Sequence, residues 1–94
     1  MEYLTSRQNG LVKYIRSLAQ RKVRERERCF VVEGVRLLEE ALQTMEKGGP
    51  FILETVLVSE GLRQNEREQQ LIKALQTAGV KLCSVSSEIM ESLS

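Results

Sequence analysis

Residues 21–28 read RKVRERER, which places five cationic side chains within eight positions, and residues 29–34 read CFVVEG. Fixed cations at that density suit one task above others: they hold polyanions through charge-assisted contacts to phosphate oxygens. Arg7, Lys13 and Arg16 precede the block and Arg36 follows it, while Glu2, Glu25, Glu27 and Glu33 are the only acids up to residue 36. Residues 1–36 therefore carry a net +5 and residues 37–94 a net −4, inside a chain whose formal net charge is +1. A basic segment on an acidic body points to a nucleic-acid partner. The plainer reading is a solvated face. On a helix, Arg24–Glu27 and Glu25–Arg28 sit one turn apart and would support it by roughly 0.2–0.5 kcal/mol each. That pairing explains the glutamates of the block but not Arg7, Lys13, Arg16, Arg21 and Lys22, which have few acidic neighbours.

Catalytic chemistry is poorly provided for. The chain has no His and no Asp, so every acid is a Glu. His is the commonest general base and metal ligand. Cys29 and Cys83 stand far apart in apolar contexts, make no metal-ligand spacing, and read as buried, reduced core residues of an intracellular protein. A self-contained hydrolase or metal enzyme is not expected. Glu33-Gly34 stands where a strand would end and a helix open, a place where ligands gather in open α/β sheets. Gly34 would let the backbone approach a phosphate closely, or would only make the tight turn while Glu33 pairs with an arginine. Arg36 would reach a phosphate bidentately, or pair with Glu39 or Glu40. Thr5, Ser6, Gln8 and Asn9 suit contacts to sugar or phosphate, and suit helix capping better. Tyr14 and Phe30 are stacking groups by type, although Phe30 reads first as core.

The elements that must carry these residues follow from periodicity. Leu11, Ile15, Leu18 and the stem of Lys22 fall on one stripe at roughly 100° per residue, which predicts a helix over 10–27 with Lys13, Arg16, Arg21 and Arg24 on its outer side. Cys29 to Val32 reads as a buried strand. Val35 to Lys47 is helical and ends at Gly48-Gly49-Pro50. A second strand is expected over 52–59, a helix over 65–78 stopped by Gly79, and a third strand over 80–85. Ser86 caps a last short helix. The alternation argues for an α/β fold, a largely parallel sheet with helices on both faces. Three strands make a thin sheet, so the chain reads as a piece of a longer protein. Its 94 residues suit one domain. No apolar run reaches membrane-spanning length, and the first ten residues hold no signal-peptide core. With four aromatic residues and no Trp, the core must be aliphatic.

Several of these pieces together resemble one family. Thr5-Ser6-Arg7-Gln8-Asn9, Val12-Lys13, the basic turn and Phe30-Val31-Val32-Glu33-Gly34-Val35-Arg36-Leu37 look like the N-terminal substrate-binding domain of the SpoU/TrmH-type (SPOUT class) RNA 2′-O-ribose methyltransferases. Val56-Leu57-Val58-Ser59, Gly79-Val80, Val85-Ser86 and Leu93-Ser94 agree with it, so the resemblance covers essentially the whole chain. It implies a small three-layer α/β/α sandwich, similar to ribosomal and kink-turn-binding proteins, with an N-terminal basic helix. It implies a domain that presents structured RNA, commonly ribosomal rather than transfer RNA, to a separate catalytic domain absent from this chain. That domain would hold S-adenosylmethionine and perform the methyl transfer, so residues 1–94 would need no cofactor. The parent protein would be a cytoplasmic homodimer. On this reading Lys13, Arg16, Arg21, Lys22, Arg24, Arg26 and Arg28 neutralise phosphates, Asn9 and Arg36 fix orientation, and Glu33-Gly34 marks the junction. Two features depart from the family: Gly10 stands where Pro is frequent, and Cys29 where a more polar residue is usual. The alternatives are a protein-interaction or dimerisation module built on the mixed Arg/Glu face, and an intact enzyme with its own S-adenosylmethionine pocket.

Overall fold

Apolar side chains at consecutive positions of a strand demand cover on both faces, and the chain supplies it with helices. The computed structural model describes residues 2–4, 9–59 and 65–93. The elements run β1 (Glu2–Leu4), α1 (Gly10–Ser17), α2 (Arg21–Glu27), α3 (Val35–Glu46), β2 (Thr55–Ser59), α4 (Glu66–Thr77), β3 (Lys81–Val85) and α5 (Ser87–Leu93). The strands form one parallel sheet in the order β1-β3-β2. Leu57 of β2 stands opposite Cys83, and Leu4 of β1 opposite Val85.

Alternation along the strands sorts the core into two halves. Leu82 and Val56 face Leu42 of α3, Leu71 and Leu75 of α4, and Val80. Cys83 and Val85 face the other way, onto Leu4, Val12 of α1 and Ile89 of α5, with Leu57 packed against them. The fold is thus α/β in three layers, α3/α4 on one face of the sheet and α1/α5 on the other. Burial on both faces is the usual setting for parallel strands. Neither half of the core contains an aromatic ring, as the composition requires. Among the described residues no helix is long and apolar enough to cross a membrane.

Local chemistry fixes the helix ends. The Asn65 side chain accepts from the Glu68 N–H at 2.9 Å and starts α4. Gly79 stops it at φ +81°. There the Val80 N–H donates to the Leu75 carbonyl and the Gly79 N–H to the Gln76 carbonyl, both at 3.0 Å. Only a residue at home at positive φ closes a helix this way, and Leu75 and Val80 then meet in the core. Ser86 Oγ accepts from the Ile89 N–H at 3.2 Å at the head of α5. α3 and α4 are strapped together by Arg67, which chelates the Glu39 carboxylate with Nε–O distances of 3.1 and 3.2 Å. The Arg67 hydrogen bond and charge hold the Glu39 carboxyl below its ordinary value, against a smaller opposing effect of burial.

Several expectations are corrected. The helix over 10–27 is two helices broken at residues 18–20. A straight helix would continue the Leu11–Ile15–Leu18 stripe onto Lys22 and swing Val23 away from it. The break instead buries Leu18 and Val23 and leaves Lys22 exposed. Ser17 Oγ donates to the Tyr14 carbonyl, and the Leu18, Ala19 and Gln20 N–H groups reach back only three residues, tightening the chain out of α-helix. Second, Cys29–Val32 is not a strand: Phe30 and Val31 are 60% and 53% exposed. Cys29 is half-buried rather than core, while Cys83 is buried as expected. Third, the remaining place beside β3 goes to Glu2–Leu4, a segment too short to show periodicity, which buries Leu4. Strand β2 also begins later than expected, at Thr55.

Two measurements check this packing. Leu75→Ala, at the fully buried centre of the α3/α4 half, should cost about 2–5 kcal/mol in urea unfolding. The depressed carboxyl of Glu39 contributes stability that is present above its unfolded value of 4.5 and lost as pH falls through the lower folded value. Glu39→Gln should therefore remove part of the drop in urea midpoint between neutral pH and about pH 3.

Candidate nucleic-acid interface

Helix α2 contributes one buried residue, Val23, and presents nearly everything else to solvent. Arg21, Lys22, Arg26 and Arg28 are exposed, and Lys13 is exposed on α1. The ion pairs are not those expected from spacing. Arg21 Nε bonds Glu25 Oε1 at 2.9 Å, and Arg26 Nε bonds Glu27 Oε2 at 3.2 Å. Both are surface pairs, worth little in stability and easily exchanged for another anion.

Two of the expected phosphate ligands have structural work instead. Arg24 Nη1 donates to the carbonyls of Leu18 and Ala19, both at 2.9 Å, and so holds the turn between α1 and α2. Arg16 Nη2 donates to Ser92 Oγ at 3.2 Å, tying α1 to α5, and Ser92 donates on to the Ile89 carbonyl at 2.7 Å. Asn9 is spent as a cap: its Oδ1 accepts from the N–H groups of Leu11 at 2.9 Å and Val12 at 3.4 Å. Thr5, Ser6, Arg7 and Gln8 lie outside the described residues.

The geometry also divides the cations. Arg21, Arg24 and Arg28 line one open cleft of about 390 Å³ with Glu25, Cys29 and Phe30. Arg36 pairs with Glu40 at 3.5 Å and lines a different groove, between α3 and α4, beside Glu39, Glu46 and Arg67. Gly34 has φ +102° and open space where a Cβ would stand. Its backbone conformation, not a close approach, is what calls for glycine there. Glu33 is exposed beside it.

Sequence reasoning missed two features of the cleft. Phe30 is a rim residue, not a core residue. Arg28 closes α2 in the left-handed region, at φ 55° and ψ 39°, where the Cys29 N–H donates back to the Arg24 carbonyl at 3.3 Å. A side chain there costs roughly 1–2 kcal/mol and glycine is the usual choice. No residue pattern marks an arginine in that conformation. Tyr14, which by type suited stacking, is half-buried beside Cys29. Its phenol is pushed up to about 12 by the hydrogen bond to Cys29, then by burial, then by the charges of Cys29, Glu27 and Glu54. It therefore stays protonated. Among the described residues no cluster of His, Cys, Asp or Glu is suited to a metal.

These roles separate by mutation. Arg24→Ala should destabilise by about 1–3 kcal/mol, because it leaves two carbonyls without their charged donor. Arg21→Ala should fall within about 0.5 kcal/mol of wild type. Arg28→Gly should stabilise by about 0.5–1 kcal/mol by relieving the left-handed backbone. Urea unfolding of the three variants reads all of these.

Comparison with known proteins agrees with this architecture. A family model described as the MRM3-like substrate binding domain matches residues 9–94. A solved structure described as the crystal structure of an RNA 2′-O ribose methyltransferase superposes with a TM-score of 0.79 at 37% identity. The match takes in 98% of this chain and 32% of that one, so this chain spans about a third of the length of that protein. No curated protein sequence matches. With the family model spanning all but the first eight residues, the chain belongs to the MRM3-like substrate-binding domains, the substrate-binding part of a 2′-O-ribose methyltransferase family.

Proposed function

We propose that this domain binds structured RNA, ribosomal in the first instance, and presents it to a separate S-adenosylmethionine-dependent domain of a cytoplasmic, homodimeric 2′-O-ribose methyltransferase. The observation that carries the reading is the display of α2. Val23 anchors the helix, while Arg21, Lys22, Arg26 and Arg28 stand exposed along it. Family membership supplies the substrate class, and the cleft rimmed by Arg21 and Arg28 supplies a place for phosphate. Such contacts give affinity and salt dependence rather than sequence readout.

The grooves at α2 and between α3 and α4 do not fit the methyl donor. The cleft at α2 and the groove between α3 and α4 are both open and lined mainly by arginine, glutamate and glutamine. Neither offers an enclosed apolar slot for an adenine ring, so no chemical step is derived in this chain. The interaction-module alternative would use the same mixed face, where Glu25 and Glu27 pair with Arg21 and Arg26 of their own helix.

The test is fluorescence anisotropy of a labelled structured RNA across a salt series. Binding should lie at roughly 10⁻⁴–10⁻⁶ M near physiological salt and weaken by roughly 0.7–0.9 log units per log unit of salt for each phosphate neutralised. Lys22→Gln with Arg28→Gln should weaken binding and flatten that slope while the urea midpoint holds. Arg36→Gln, in the other groove, should leave the slope unchanged. Affinity that ignores salt, or no binding at low salt, would sink the reading.

A further inference from the structure

Among the described residues four adopt positive φ, and three of them are glycines: Gly34, Gly48 and Gly79. The fourth is Arg28, at φ 55° and ψ 39° where α2 ends. Gly79 performs the same task at the end of α4, so the chain meets this backbone demand with glycine elsewhere and with arginine here. The conformation itself disfavours arginine, because the left-handed region crowds Cβ against the carbonyl. Nor does the side chain offset that strain within the fold. Arg28 is exposed, and among the described residues no hydrogen bond or ion pair engages its guanidinium. Backbone strain kept at an unpartnered cation points to a ligand. One residue holds the strained turn. The Arg24 carbonyl accepts from the Arg28 and Cys29 N–H groups, and the Arg24 guanidinium is fixed on the carbonyls of Leu18 and Ala19. From this turn Arg28 lines a cleft with Arg21, Arg24 and Glu25. The one carboxylate there, Glu25, holds Arg21 through an exchangeable surface pair. That resident anion marks where another can sit.

We infer that Arg28 fixes the position of the bound RNA: its guanidinium grips the two non-bridging oxygens of one backbone phosphate in this cleft, with Arg21 opposite once Glu25 is displaced. The inference deepens the RNA reading and rests on it. The cationic surplus of the cleft selects an anion, and the RNA reading makes that anion a phosphodiester. A guanidinium presents a planar fork that matches phosphate oxygens two at a time, which an ammonium does not. The left-handed backbone aims that fork, and the anchored Arg24 keeps the aim rigid. Lys22 and Arg26 have a different part. They lie outside the cleft and supply attraction without a fixed geometry. The displayed cations of α2 thus divide again, into one that positions RNA and others that only draw it in.

The experiment is anisotropy of a fluorescein-labelled RNA hairpin across a salt series, on wild type, Arg28→Lys, Arg28→Gly and Lys22→Gln, with urea unfolding of each. Arg28→Lys keeps both the charge and the backbone strain. Its salt slope and urea midpoint should hold while affinity falls on the order of 10-fold. Lys22→Gln should lower the slope by about 0.7–0.9 and cost less affinity than Arg28→Lys does. Arg28→Gly should raise the urea midpoint and yet bind more weakly than Arg28→Lys, a combination that a merely structural residue would not give. Arg28→Lys that binds as tightly as wild type overturns the inference. So does Arg28→Gly that keeps its affinity, since Arg28 would then be a tolerated helix end and no more. In both cases wild type still binds, and the RNA reading stands. Wild type that fails to bind at low salt defeats that reading, and this inference with it.

Discussion

The middle strand of the sheet has no free face. Leu82 is buried on one side of β3, Cys83 and Val85 on the other, and β1 and β2 close both of its edges. A parallel strand in that position cannot be solvated, so two pairs of helices have to cover it. The covering residues are aliphatic and few, which makes each one costly to lose in a domain of this size. The positions of Val12, Leu42, Leu75 and Ile89 follow from that demand. So does the course of the chain between α1 and α2.

That course is where architecture and binding meet. Covering the α1 side of the sheet uses Leu11 and Val12, and burying Leu18 and Val23 as well requires the helix to break between them. The break re-aims α2 so that its cations face outward on a single anchor. It also sets two arginines to holding the break and the helix pair together: Arg24 on the carbonyls of Leu18 and Ala19, Arg16 on Ser92. The basic segment is therefore two populations. One part is built into the scaffold, and the other is displayed in weak, exchangeable surface pairs. A polyanion competes easily only for the second.

The groove between α3 and α4 has a different balance. It carries Glu39, Glu40 and Glu46 against Arg36 and Arg67, and its strongest contact, Arg67 with Glu39, is internal to the fold.

Helix α3, helix α4, the Gly79 stop, strand β3 and the Ser86 cap were all legible in the sequence. Each is specified within a few residues, by apolar period, by a glycine at positive φ or by a capping oxygen. The basic segment was legible as charge for the same reason. Tertiary structure decided what local pattern cannot encode. The run Cys29–Val32 shows strand composition, but composition does not name a pairing partner, and Glu2–Leu4 took the place beside β3. The spacing of Arg24–Glu27 and Glu25–Arg28 allowed pairs that give way to Arg21–Glu25 and Arg26–Glu27, because Arg24 is held by the Leu18 and Ala19 carbonyls and Arg28 leaves the helix at positive φ. Which arginines stay available to a ligand depends on where each guanidinium ends after the core has packed. That is set by Leu18, Val23 and Ser92, residues with no charge of their own.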